Sequence, residues 1–328
     1  MEKTSEALPT SEHFELHRLT EGVWAALALE VGPTFSNAGI VDLGDQTLVF
    51  DAFELPAAGA NLRAAAEHLT GRPVTCLVLS HSHSDHSVGC QAFDLDTPFL
   101  STRAIRDEIP ASTGWLRHYQ EHPDELEEAL RSERERLAAT TDEVLRPSIV
   151  RAVARMEHLL AALPDLTFRL PDLTFDGPLV FHGTRRTVEL HVVAPGHTVS
   201  DVYLLLPQDR ICFMGDLGFL RQQPFLFFAV PQAWIAWLDQ AAQLDVDVFV
   251  PGHGPLGDKA DLALLRRYIA DLQALVKQAL VEEGLSAEET LARSLPAPFD
   301  AWIAASPPRW EANVRALYEK LWNEIADR

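Results

Sequence analysis

The chain is poor in cysteine and in positive charge, and it has no long apolar run. Cys76, Cys90 and Cys212 are the three cysteines in 328 residues. They are odd in number and widely spaced, and none forms a CxxC pair. Neither a disulfide framework nor a thiolate metal site is expected. Each reads as a small buried hydrophobe in a reducing compartment. Lys and Arg number 27 against 48 Asp and Glu, a formal net charge of -21. Such a surface repels phosphate backbones and argues against a nucleic-acid partner, although a bound cation can reverse the sign locally. No stretch reaches the roughly 18 apolar residues that a membrane helix needs. The first ten residues are polar and acidic and lack the apolar centre of a signal peptide. The expectation is a soluble, cytoplasmic protein with no membrane partner and a small-molecule substrate.

What is present is enough apolar sequence, 47% of residues, to bury a large core. Short apolar runs bounded by Gly, Pro, Asn or Asp predict strands over 22–29, 39–43 and 46–51. An alanine-rich segment over 57–69 predicts a helix that Gly71 and Pro73 end. Strands follow over 76–80 and 98–101. Residues 104–164 are charged and poor in glycine, and they read as two or three inserted helices. These form a lid, a homodimer surface or an ordinary packed hairpin. Strands resume over 179–181, 188–194, 202–206 and 211–214, then a helix over 232–244 and a strand over 246–250. Apolar steps of three and four predict helices from Leu262 and from Val314 onward. This order suits a layered α/β protein in which helices cover two sheets. The expected division is an extension over 1–20, a main domain over 21–257 and a helical region over 258–328.

The chemistry gathers at strand ends. Thr75 to Ser80 runs directly into His81, His83, Asp85 and His86, an HxHxDH cluster. Side chains two apart on a strand share a face, so His81 and His83 are expected to meet one metal, with Asp85 and His86 reaching a second. Imidazole with carboxylate suits zinc, iron or manganese rather than calcium or copper(I). Further ligand-type residues stand at three other predicted strand ends, each directly after a glycine: His197, Asp216 and His253. Glycine there permits a tight turn.

The set HxHxDH, Gly-His, Gly-Asp and Gly-His, in that order over about 22–254, resembles the metallo-β-lactamase-fold hydrolases. The resemblance implies an αββα sandwich with the site at the edge between the sheets. It implies that His81, His83 and His197 hold one divalent metal ion, that Asp85, His86 and His253 hold a second, and that Asp216 bridges them. The ions would be zinc first, with iron or manganese as alternatives. Asp51 matches a position that supports the ligands from behind. A water activated between two cations, its pKa lowered from about 16 toward about 7, would then attack the substrate, with Asp85 orienting it or carrying its proton. The implied activity is hydrolysis of a small ester, thioester or lactone. Alternatives on the same scaffold are a mononuclear iron oxidase or dioxygenase, a phosphodiesterase and a low-level β-lactamase.

The segment after Asp216 is expected to border the site. Phe225, Phe227 and Phe228 read as an apolar wall or as loop packing, and Arg221 as a contact for a negative group. His13, His17, His68, His118, His122, His158, His182 and His191 read as structural or exposed. Trp234 and Trp237 are expected in the core.

Overall fold

The computed structural model describes residues 8–326 of the chain. Its first half contains β1 (Phe14–Thr20), β2 (Val23–Ala28), β3 (Ala38–Asp42), β4 (Thr47–Phe50), α1 (Pro56–Thr70), β5 (Cys76–Val78), α2 (Ser84–Ser87) and β6 (Phe99–Ser101). Four helices follow, α3 (Arg103–Ser112), α4 (Gly114–Glu121), α5 (Pro123–Ala139) and α6 (Arg146–Ala162), and then the short β7 (Leu173–Thr174). The second half holds β8 (Leu179–His182), β9 (Thr187–Val193), β10 (Asp201–Leu206), β11 (Ile211–Phe213), α7 (Pro231–Ala241) and β12 (Val248–Val250). The chain then runs through α8 (Lys259–Lys277), α9 (Ala287–Leu291), α10 (Phe299–Ala305) and α11 (Pro307–Ala326).

Strands β1 to β7 form one sheet in sequence order, and a second sheet runs β12-β11-β10-β9-β8. Alternation along the second sheet divides its side chains between two layers. Val202, Leu204, Leu206, Ile211 and Phe213 face the first sheet and join the larger core. Cys212, with Tyr203 and Leu205 beside it, faces outward onto Trp234, Leu265 and Val314 of α7, α8 and α11. The helices therefore cover a two-sheet sandwich, as the sequence order predicts.

Two expectations change. Phe14–Thr20, read from the sequence as part of an extension, is an edge strand paired antiparallel with β2. Only Phe14 and Leu16 carry its buried face, between exposed Glu15 and half-buried His17, so its apolar signal is short. The inserted segment holds four helices rather than two or three. Thr113 interrupts it: its backbone closes α3 and opens α4, and a proline opens α5.

Register decides where the strands end. β4 and β5 pair in parallel with Phe50 beside Val78, and β11 and β12 pair in parallel with Phe213 beside Val250. Parallel neighbours that stop together deliver their following loops to the same edge. Asp51 thus emerges next to Ser80, and Asp216 next to His253.

Candidate metal centre

All seven predicted ligand residues converge at this edge. Ligand-type atoms of His81, His83, His197 and Asp216 lie within 4.8 Å of one another, and so do those of Asp85, His86 and His253. The route there differs from the one expected. β5 ends at Val78, so His81 and His83 sit in the loop beyond it rather than on alternating strand positions. His83 stands immediately before α2, which carries Asp85 and His86 in its single turn.

Asp51 holds this loop. Its Oδ1 accepts the Ser80 backbone N–H at 2.7 Å, and its Oδ2 accepts the Ser80 hydroxyl at 2.8 Å. Its Oδ2 also lies 2.8 Å from His86 Nδ1. A carboxylate accepts only, so His86 Nδ1 donates and its Nε2 is left for the centre. The Ser80 hydroxyl, having given its proton to Asp51, accepts from His81 Nδ1 at 2.9 Å. His253 Nδ1 donates to the Phe35 carbonyl at 2.9 Å. In all three rings the remaining Nε2 faces inward, the arrangement that outer hydrogen bonds impose on metal-binding histidines.

Asp216 occupies the middle. Its Oδ2 lies 3.2 Å from His197 Nε2 and 3.5 Å from His81 Nε2. Its Oδ1 lies 3.0 Å from His86 Nε2 and 3.2 Å from His253 Nε2. Asp85 Oδ2 completes the second group, 3.2 Å from His253 Nε2. His83 Nδ1 completes the first, 3.2 Å from His197 Nε2.

Glycine makes the arrangement possible. A Cβ on Gly252 would stand 2.1 Å from Asp216 Oδ1, and one on Gly215, whose φ is +52°, would stand 2.5 Å from Ser80 Cβ.

Charge in the cluster is unevenly placed. Burial disfavours the Asp216 carboxylate, yet His253, His86 and His81 hold its carboxyl well below the usual range. Burial likewise opposes an imidazolium at His86, but Asp216, Asp85 and Asp51 raise its pKa well above the ordinary value. His83 is pushed the other way, by burial and by the neighbouring His81 and His197. The cluster thus demands positive charge at its centre. Among the described residues His81 Nε2, His86 Nε2 and Asp216 Oδ1 are buried without a hydrogen-bond partner. Buried polar atoms are ordinarily paired. Unpaired nitrogen and oxygen atoms gathered in two such groups fit divalent cations.

Several contributors give little sequence signal. Asn37 Nδ2 donates to the carbonyls of Pro251 and Gly254, both at 2.9 Å, and so braces the loop of His253. Asp201 accepts from the backbone and hydroxyl of Thr198, both at 3.0 Å, and shapes the loop of His197. Burial pushes the Asp201 carboxyl up to about 6.

A cavity of about 580 Å³ opens over the cluster. Phe225 and Phe228 line it, with ring centres 6.2 Å and 5.4 Å from that of His83. Phe227 is half exposed and packs on Phe225 and Phe228 outside it. Arg221 is corrected: it turns away, and its Nε lies 3.0 Å from the buried carboxylate of Asp261 at the start of α8. Its left-handed backbone, φ 58°, turns the loop there. The inserted helices form the opposite wall through Trp115, Arg151 and Arg155, and α11 contributes Arg309. The sequence reads this segment only as charged inserted helices, so the two arginines that α6 lends the cavity, Arg151 and Arg155, carried no signal of their own.

The cysteines and the two tryptophans lie where the sequence places them. The three cysteines are buried and unpaired, and burial raises the Cys76 thiol to about 12. Trp234 and Trp237 are in the core. Among the described residues no helix is long and apolar enough to cross a membrane.

The family model described as the metallo-beta-lactamase superfamily matches residues 31–253. Among solved structures, a metallo-beta-lactamase from Pontibacter korlensis is 18% identical, with a TM-score of 0.54 over 79% of this chain and 100% of its own. The metallo-beta-lactamase FIM-1 from Pseudomonas aeruginosa, in a mono-zinc form, is 18% identical, with a TM-score of 0.55 over 81% of this chain and 98% of its own. The inverting sec-alkylsulfatase Pisa1 from Pseudomonas sp. is 16% identical, with a TM-score of 0.66 over 94% of this chain and 50% of its own. No curated protein matches the chain. At these identities the structures speak for the fold alone, whereas the family match spans most of the chain: the protein belongs to the metallo-β-lactamase superfamily.

Proposed function

We propose that this protein is a dinuclear metal-dependent hydrolase of a small ester, thioester or lactone, with zinc as the first choice of metal and iron or manganese as alternatives. One observation carries the reading. The two oxygens of Asp216 face different histidine groups, Oδ2 toward His197 and His81, Oδ1 toward His86 and His253. A carboxylate so divided suits two neighbouring cations better than one.

In this reading His81, His83 and His197 would hold one ion and Asp85, His86 and His253 the other, with Asp216 placed between the two groups. Bound there, divalent cations supply the Lewis acidity that lets water attack an acyl centre at neutral pH. The chain's own residues do the rest. Asp85 is a quarter exposed and faces the cavity, so it can hold the attacking water or carry its proton to the leaving group. Asp51 fixes the ring of His86. Phe225 and Phe228 keep the acyl chain out of water.

Among the described residues no thiol or free hydroxyl in the cavity competes for the role. All three cysteines are buried, and the hydroxyls that line the cavity are committed elsewhere. Ser84 donates to Glu54 and Ser112 donates to Ser82. The test is metal quantification on the purified chain, followed by a hydrolysis panel of esters, thioesters, lactones and phosphodiesters. Two metals per chain, with turnover that chelation stops and zinc restores, is the expected result. One iron per chain with oxygen uptake, or no metal uptake at all, would overturn it.

A further inference from the structure

The cavity holds guanidinium groups that its own carboxylates leave unpaired. Glu54, Asp85 and Asp216 are its acids, and Arg151, Arg155 and Arg309 are its guanidinium groups. Arg155 is spoken for: its Nε lies 2.5 Å and its Nη2 2.8 Å from the two oxygens of Glu54. Asp85 and Asp216 are turned to the imidazoles of the centre. Two arginines remain.

Arg309 makes no side-chain hydrogen bond and no ion pair among the described residues, and its guanidinium rests 4.8 Å from the ring centre of Phe225. Arg151 is similar. It gives one hydrogen bond, to the Thr34 carbonyl at 3.3 Å, and lies 4.8 Å from the ring centre of Phe35. A guanidinium presents five donors in a fixed fork that matches an oxyanion. Two such forks, each held on an aromatic face with most donors free, are arranged for a ligand. They occur in a chain whose net charge is -21, where acidic partners are abundant elsewhere. Desolvation works against the Arg309 charge, and the carboxylates that offset it are Asp85 and Asp216, the two that bound cations would engage.

We infer that the substrate carries, apart from its hydrolysable bond, a second and negatively charged oxyanion group that docks on Arg309, with Arg151 assisting. The substrate class is an anionic ester with an apolar spacer: the oxyanion on the arginines, the spacer against Phe225 and Phe228, the acyl bond over the histidine cluster. Arg309 lies outside the residues that the family model matches, 31–253, so this selectivity belongs to the C-terminal helices of this chain. The inference rests on the hydrolase reading for its reactive end but not for its anion site.

The test compares two esters with the same scissile bond, phenyl hexanoate and the monophenyl ester of adipic acid, on the metal-loaded wild type and on the Arg309→Gln, Arg309→Lys and Arg151→Gln variants. A second readout, independent of turnover, is the binding of hexanesulfonate and of hexanol by titration calorimetry, with hexanoate as the carboxylate arm. Metal content and circular dichroism of each variant verify that centre and fold persist. Charge-assisted contacts of this kind lead to an expected preference of about 10-fold or more for the adipate monoester, in kcat/KM and mainly through KM. Arg309→Gln abolishes that preference and weakens hexanesulfonate by a similar factor, a larger loss than it causes for phenyl hexanoate or hexanol. Arg309→Lys retains part of it, and Arg151→Gln loses less than Arg309→Gln. Equal handling of the two esters by the wild type, or a preference that survives Arg309→Gln, overturns the inference while leaving the hydrolase reading intact. Hydrolysis of neither ester, and of no thioester, lactone or phosphodiester in the panel, with hexanesulfonate binding that still requires Arg309, removes the hydrolase reading and upholds the anion site.

Discussion

The Cα of Gly252 faces Asp216 so closely that a Cβ there would lie 2.1 Å from Asp216 Oδ1 and 2.7 Å from the Gly215 carbonyl carbon. The carboxylate that divides its oxygens between two histidine groups therefore depends on a hydrogen atom at position 252. Gly252→Ala can displace only the Asp216 side chain, because the Gly215 backbone closes the other side. The carboxylate must move. Metal affinity is expected to fall by about 10- to 100-fold, as it does when the surroundings of a ligand are disturbed. Competition against a coloured chelator measures this. Gly114→Ala is the matched control, since nothing lies within 4 Å of a Cβ there. Equal affinities for the two variants would show that Asp216 is not held by this contact.

Asp51 accepts three hydrogen bonds, from the Ser80 N–H, the Ser80 hydroxyl and His86 Nδ1. Asp51→Asn offers one oxygen and a donor in their place, so at least one of the three faces an N–H. A buried donor left unpaired costs about 1–3 kcal/mol. Metal affinity falls too, because His86 loses the partner that sets its tautomer. Chemical denaturation of the metal-free chain reads the first effect, and chelator competition reads the second. A variant that unfolds and binds metal like the wild type would contradict both.

Much of this site was legible because its grammar is local. A short apolar run, a glycine and one ligand-type residue mark His197, Asp216 and His253, and the HxHxDH cluster marks the fourth loop. Asp51, standing directly after β4 with no glycine before it, was legible only through the family resemblance. The alternation argument for His81 and His83 failed because β5 stops at Val78. The rings are aimed by Ser80 and Asp51 instead, contacts that join residues 29 apart in sequence. Asn37, which braces a loop more than 200 residues away, has no local signature. Nor do the cavity arginines: on α6 and α11 they sit among other charged residues, and only the packing of those helices against the sheets brings Arg151, Arg155 and Arg309 over the cluster. Arg221 was misread because the sequence does not reveal that Asp261 lies beside it. The edge strand β1 escaped notice because only two of its residues carry its buried face.

Glu54 and Arg155 join the inserted helices to the loop after β4. Glu54 is 4% exposed and Arg155 22% exposed, and the pair is bidentate. Removing one charge strands the other. Arg155→Met is expected to destabilise the fold by about 3 kcal/mol, the lower end for breaking a buried pair, since Arg155 retains some contact with water. The double variant Glu54→Leu with Arg155→Met recovers part of that loss. A double-mutant cycle by chemical denaturation should return a coupling of about 1–3 kcal/mol. Additive effects would mean that the two side chains stabilise the insertion independently.

At the end of the sandwich away from the metal cluster, Asp42 ties the sheets together. Its Oδ1 accepts from Arg72 Nη1 at 2.5 Å and from the Gly44 N–H at 2.8 Å, and its Oδ2 accepts from Arg185 Nη1, on the β8–β9 turn, at 2.8 Å. Burial alone would raise its pKa. The Arg72 and Gly44 hydrogen bonds, with the charges of Arg72 and Arg185, outweigh burial and lower it from 3.8. A carboxyl whose pKa is lower folded than unfolded stabilises the fold above the unfolded value, and that contribution disappears as the pH falls through the folded one. At pH 7 Asp42→Asn is therefore expected to cost about 1.5–3 kcal/mol, the range for hydrogen bonds to a charged group. The gap from the wild type should narrow steadily once the pH drops below about 4, where the Asp42 carboxyl of the unfolded chain takes up a proton before that of the folded one. Denaturant titrations of both proteins at several pH values between about 7 and 3 follow that gap directly. A difference that stays constant across the whole range would place the value of Asp42 in its shape rather than its charge.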